Sequence, residues 1–321
     1  MDYLIQGDTL SEIADAIRGK TGNQAAIAVK NMASQIDSIK AGGGGSGSGD
    51  LESVLDGTVT SISSDATAIR TYAFRGCDEL VSVNFPEALS IGSNAFYMTQ
   101  KLSSVNFPKV TEVGGSAFYK CPSLVSAIFP SALSLDSSVF YECEALATVS
   151  FPLLTNMEMN GFRGCSALTS ANFPHLTEIG NHGFYDCALL SETSFPEVLT
   201  IGTYAFNMCD NLVTVNFPKA TRIENSSFRQ CAKLEVADFG ALTYIASSAF
   251  STSRLLHTLI LRTETVCTLS SVSGIGATAI AGGNGYVYVP DSLVEQYKAA
   301  TNWANYADQI KPLSEYQEET A

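Results

Sequence analysis

Eight cysteines are the first residues whose chemistry depends on where they fall. Seven of them, Cys77, Cys121, Cys143, Cys165, Cys187, Cys209 and Cys231, occupy one column of a 22-residue recurrence, and Cys267 stands apart. Stacked neighbours in such a column would approach disulfide distance, although small buried side chains used purely for packing give the same pattern. The start Met1-Asp2-Tyr3 lacks the basic, then apolar, then small-residue order of a secretory signal, so a reducing cytoplasm and free buried thiols are expected. No cysteine pair has metal-ligand spacing, and His175, His182 and His257 are scattered, so neither a metal site nor a cofactor is expected. Glu158 and Glu178 fall about one repeat apart, but solvated surface acids explain them better than a catalytic pair, which needs two carboxyls about 5 to 9.5 Å apart across a groove. No nucleophile elbow, phosphate loop or dinucleotide fingerprint follows a strand, and no catalytic residue is assigned. An enzyme is the last reading.

Binding is the chemistry that remains. Arg75, Tyr97, Tyr119, Tyr141, Arg163, Tyr185, Asn207 and Arg229 recur at the same interval, and the column after them (Gly76, Met98, Lys120, Glu142, Gly164, Asp186, Met208, Gln230) varies freely. Tyr and Arg are the types most enriched at binding hot spots, so a fixed spacing turns them into one candidate ligand-binding stripe. A second reading has the tyrosine rings merely covering adjacent coils. Pairs such as Ser82 and Asn84, Ser104 and Asn106, and Thr214 and Asn216 read first as solubilising ladders and second as a track for a linear glycan.

The elements that must position these columns follow from the phenylalanines. Phe74, Phe96, Phe118, Phe140, Phe162, Phe184, Phe206, Phe228 and Phe250 keep the cysteine interval without a break, and a second Phe falls midway after each of the first eight, from Phe85 to Phe239. Leucines from Leu80 to Leu256 and aliphatic residues from Ile69 to Ile245, with Met157 among them, supply two further columns. The V-x-F segment alternates and ends at a proline in seven of eight cases, which reads as a very short strand. A unit this small cannot bury its own apolar side chains, but units stacked at about 4.8 Å can, because their strands form a parallel sheet. The fold class expected is an α+β repeat: a leucine-rich-repeat solenoid of about nine 22-residue coils with a short parallel sheet, a small N-terminal helical segment and a C-terminal cap.

The pattern L-x-x-V-x-F-P-x-A-x-x-I-G-x-x-A-F-x-x-C over residues 69 to 256 resembles the BspA-like, or Treponema-type, leucine-rich repeat. Departures are small: Thr99 and Ser253 stand where Cys is expected, and Gly161, Gly183 and Ser227 replace Ala. That resemblance implies a non-enzymatic binding scaffold, including a surface adhesin.

The Gly/Ser run 41–50 is a flexible linker, which makes residues 51–261 the solenoid and 262–321 the cap. Segment 1–40 carries two amphipathic helices, with Leu10, Ile13 and Ile17 on one stripe and Val29, Met32 and Ile36 on the other. A segment this short cannot stand alone, so these side chains are expected to anchor the chain or drive self-association. The motifs G-D-T-L-S-E-I-A-D-A-I-R-G-K-T-G and I-A-V-K-N-M-A-S-Q-I resemble the N-terminal segment of phage tail and minor structural proteins of Gram-positive hosts. This second resemblance implies a virion protein, made in the host cytoplasm, that binds other virion proteins through 1–40 and displays the solenoid toward a host-surface glycan or protein. Localisation on a bacterial surface as an adhesin, and a structural decoration without ligand, are the alternatives. A homo-oligomer is expected, a trimer by analogy with fibres. The net charge of −14 lies almost wholly after residue 40 and argues against nucleic acid and anionic membranes, and no apolar run is long enough for membrane insertion.

Overall fold

The computed structural model describes residues 60–317. The helical stripes of segment 1–40 and its six expected anchoring residues lie outside that range.

Each coil carries two strands too short to be stable alone. Segments such as Ser104–Asn106 alternate exposed, buried, exposed, and the following phenylalanine turns inward. Two-residue strands such as Glu112–Val113 place one residue outward and one in the core. Both kinds pair in parallel with their equivalents in adjacent coils, so Ser104 faces Ser126 and Val113 faces Leu135. The two-residue strands form one continuous ten-stranded sheet from Ala68–Ile69 to Thr268–Leu269. The longer strands form runs of five, two and five, beginning at Ser61–Ser63 and ending at Ile310–Pro312. The break between Thr148–Ser150 and Ser170–Asn172 falls where Phe151 and Phe173 abandon stacking for an edge-on contact at 61°.

The parallel solenoid therefore stands, with one amendment. Its ladders run to ten and twelve strands against nine coils expected, because steps at both ends depart from the 22-residue spacing: Ser61 pairs with Ser82, a shorter step, and the last steps lengthen. Leu269 pairs with Ile245 and Tyr286 with Thr258, each step longer than the regular repeat and the second longer than the first. Helix is scarce: among the described residues the one α-helix is Val294–Ala299. It starts after Leu293 with no side-chain cap.

All seventeen phenylalanines lie in the two expected columns, and each is at most 2% exposed. Rings of the first column stack at 5.0 to 5.5 Å, from Phe96–Phe118 to Phe162–Phe184. They meet the second column mostly tilted or edge-on, as Phe118 meets Phe129 at 69°. Such pairs add about 0.5 to 1.5 kcal/mol each beyond burial. Where proline gives way to Gly240, a Cβ would run into the carbonyl of Pro218.

Past the last regular coil, the tail does with side chains what a further coil would do with backbone. Tyr297 Oη accepts from Cys267 N–H at 2.8 Å, and Trp303 Nε1 donates to the Cys267 carbonyl at 2.7 Å. Asn302 Nδ2 and Tyr306 Oη donate to the carbonyls of Leu269 and Val272 at 2.7 and 2.6 Å. These groups would otherwise be an open sheet edge.

Candidate binding surface

The surface bearing the candidate stripe is a stack of turns, one per coil. Each turn holds two residues in the left-handed region: Tyr72 and Gly76 in the first coil, Asn94 and Met98 in the second, and so on to Ser248 and Thr252. Glycine occupies two of these eighteen positions, Gly76 and Gly164. An L-residue held there costs about 1 to 2 kcal/mol. Hydrogen bonds along the stack offset it, since the left-handed residue aims its N–H at the next coil. Asn94 donates to Gly115 O at 2.9 Å, and Met98 to Tyr119 O at 2.8 Å. Gly76, Lys120, Glu142 and Gly164 make the same bond to the carbonyls of Tyr97, Tyr141, Arg163 and Tyr185. The stripe is thus pinned by its own backbone.

Six of its eight members form one unbroken pile. Tyr97 stacks on Tyr119 at 4.9 Å and 3°, and Tyr119 on Tyr141 at 4.6 Å and 9°. The Arg75 guanidinium lies 4.9 Å from the Tyr97 ring, while Arg163 lies 5.2 Å from Tyr141 and 4.7 Å from Tyr185. Those side chains are half-buried. Asn207 departs from the pattern: it is 2% exposed, and its Nδ2 is buried without a hydrogen-bond partner. Arg229 is half-buried beyond it.

A neighbouring column contributes residues that sequence reasoning passed over. His182 stacks on Tyr204 at 5.1 Å and packs against Tyr185 at 5.6 Å, and Tyr72 lies 5.5 Å from Arg75. Burial, then the Arg163 charge, lowers the His182 pKa. The same regular spacing marks this column, but its residue types, Tyr, Asn, Ser and His, hide it.

The cysteine column is packing with a polar purpose. None of the eight is bridged, and all but Cys77 are buried. Each thiol from Cys121 to Cys231 donates to a phenylalanine carbonyl of the preceding coil, at 3.0 to 3.1 Å. Thr99 and Ser253 make the same bond, to Phe74 O at 3.1 Å and Phe228 O at 2.6 Å, which explains the two departures from Cys. Burial raises the thiols of Cys143, Cys165, Cys187, Cys209 and Cys231, the last to about 12, and keeps them protonated.

The sheet columns at Ser104, Asn106, Thr214 and Asn216 are exposed as small polar rows. Glu158 accepts from the Ser137 hydroxyl at 2.6 Å. Among the described residues no group of three or more His, Cys, Asp or Glu is placed to hold a metal ion, and no helix is long and apolar enough to cross a membrane.

Short parallel strands stacked coil upon coil, two phenylalanine columns and a turn ladder with a half-buried aromatic and cationic row define a solenoidal repeat scaffold of the leucine-rich class. Within it, the chain belongs to the BspA-type leucine-rich-repeat family, whose family model matches residues 57–169 and 155–272. Among solved structures, the leucine-rich-repeat protein TpLRR of T. pallidum is 30% identical, over 46% of this chain and 72% of that one, with a TM-score of 0.43. A leucine-rich cell-surface protein of Faecalibacterium prausnitzii is 20% identical over 79% of this chain and 88% of that one, at a TM-score of 0.40. The pneumococcal vaccine antigen PcpA is 15% identical over 79% and 77%, at 0.38. No curated protein matches the chain.

Proposed function

We propose that this chain is a surface-recognition scaffold of the BspA adhesin kind, binding a cell-surface glycan or protein non-covalently along its turn ladder. The continuous pile from Arg75 to Tyr185 carries this reading, because it gathers hot-spot residue types from six successive coils into one rigid row. Membership of the BspA-type family supports it. Rigidity matters, since side chains already immobilised by stacking lose little entropy when a ligand arrives.

Display on a phage virion is the second reading, supported by the motifs quoted from residues 1–40. Fractionation separates the two: an adhesin labels intact bacteria, whereas a virion protein co-sediments with particles. Retention of the purified full-length chain on candidate cells, compared with an Arg163→Gln variant, tests recognition itself. Equal retention of both proteins removes the stripe from the mechanism.

A further inference from the structure

The way the rings are piled restricts what they can hold. Tyr119 has a tyrosine against each face, Tyr97 has Arg75 and Tyr119, and Tyr141 has Tyr119 and Arg163. Their remaining exposure is therefore ring edge and hydroxyl. A neutral sugar that stacks its ring on an aromatic face finds none open over these three coils. The edge of an aromatic ring is electropositive, opposite to its face, and a phenol hydroxyl donates.

Charge points the same way. In the stripe and the column after it, Arg75, Lys120, Arg163 and Arg229 stand against Glu142 and Asp186. Lys120 and Glu142 are paired with each other at 3.1 Å, so the arginines carry the local excess of charge. These two columns are thus locally cationic on a chain of net charge −14. The arginines Arg75, Arg163 and Arg229 recur in steps of four and three coils, about 19 and 14 Å apart at the usual strand spacing. Arginine's planar fork suits carboxylates in particular.

The geometry points to an extended, carboxylate-bearing polysaccharide as the occupant, lying along the solenoid axis. Its acidic groups meet Arg75, Arg163 and Arg229, and its hydroxyls and ring oxygens meet the tyrosine edges. The assignment rests on the recognition role proposed above and adds the class of ligand. It reverses the simple expectation that an acidic protein needs a neutral target, because the local field at the surface of contact outweighs distant charge once salt screens beyond about 8 to 10 Å.

Titration of the full-length chain with linear oligogalacturonate and with dextran of equal length tests it. Oligogalacturonate binds and dextran does not. Arg163→Gln weakens binding about tenfold, the scale of one charge-assisted hydrogen bond. The triple variant Tyr97→Phe/Tyr119→Phe/Tyr141→Phe keeps the stack and the melting temperature, yet weakens binding, since it removes edge donors and leaves faces unchanged. Dextran binding as tightly, affinity untouched by the triple variant, or a single-stranded polynucleotide binding more tightly than the uronate each overturns the assignment. Competition on whole cells separates this from the broader role. Cell retention displaced by dextran and not by oligogalacturonate sinks the ligand class alone, whereas oligogalacturonate binding without cell retention sinks the recognition role alone.

Discussion

Single side chains carry distinct duties that a composition table conceals. The cysteine column donates to a carbonyl in the preceding coil, so the physical requirement at those positions is a small donor and not sulfur chemistry. Cys165→Ser should then cost under about 1 kcal/mol, and Cys165→Ala about 1 to 2 kcal/mol from a lost bond and a small void, measured by urea unfolding. Thiol-reactive dye should label at most Cys77 in the native protein and all eight cysteines after denaturation. Phe162, ringed by Phe140, Phe151, Phe173 and Phe184, should cost about 3 to 5 kcal/mol when changed to Ala. Phe250 packs on Phe228 and Phe239 from one side and should cost less. His182 gives a pH signature. Its folded-state affinity for a proton is lowered, so nothing changes while the ring is neutral in both states, above about pH 6.5. As pH falls through that value the unfolded chain takes up a proton that the folded one resists, and stability declines. His182→Gln should remove this decline from melting curves recorded between about pH 7.5 and 5.5.

At the level of the element, strand and turn differ in how openly the sequence announces them. The two phenylalanine columns, the leucine column and the aliphatic column were legible because apolar type and spacing coincide, and they fix the parallel register. The left-handed turn positions were not, because Met98, Lys120, Glu142 and Asp186 share a backbone angle and no side-chain property. The free variation of that column was the visible trace of a position whose identity is set by φ. Met98→Gly should therefore raise stability by up to about 1 kcal/mol, and Gly164→Ala should lower it by about 1 kcal/mol, since its Cβ would also stand 3.0 Å from Glu142 Cγ. Paired melting curves decide both. The candidate stripe was readable as a list of residues, but its face-to-face stacking was not, because spacing alone does not fix ring orientation.

Over the whole molecule, the number of coils was underestimated because the terminal steps depart from the period while keeping the parallel pairing: Ser61 to Ser82 falls short of it, and Ile245 to Leu269 and Thr258 to Tyr286 overrun it. The irregular end is held by Tyr297, Asn302, Trp303 and Tyr306, and a chain stopped after Val289 should lose that cover and self-associate, as light scattering would show. Light scattering of the full-length chain against one beginning at Leu51 tests whether residues 1–40 drive assembly; equal masses would remove that role. Column continuity has a consequence for how such a molecule can change size. Because every row of side chains repeats at one interval from Ile69 to Ile245, duplicating or deleting one whole repeat anywhere within that span leaves each row intact and only alters its length. Genetic recombination can thus lengthen or shorten the turn ladder in whole increments, which would tune avidity for the polymeric ligand proposed above without redesigning a single contact.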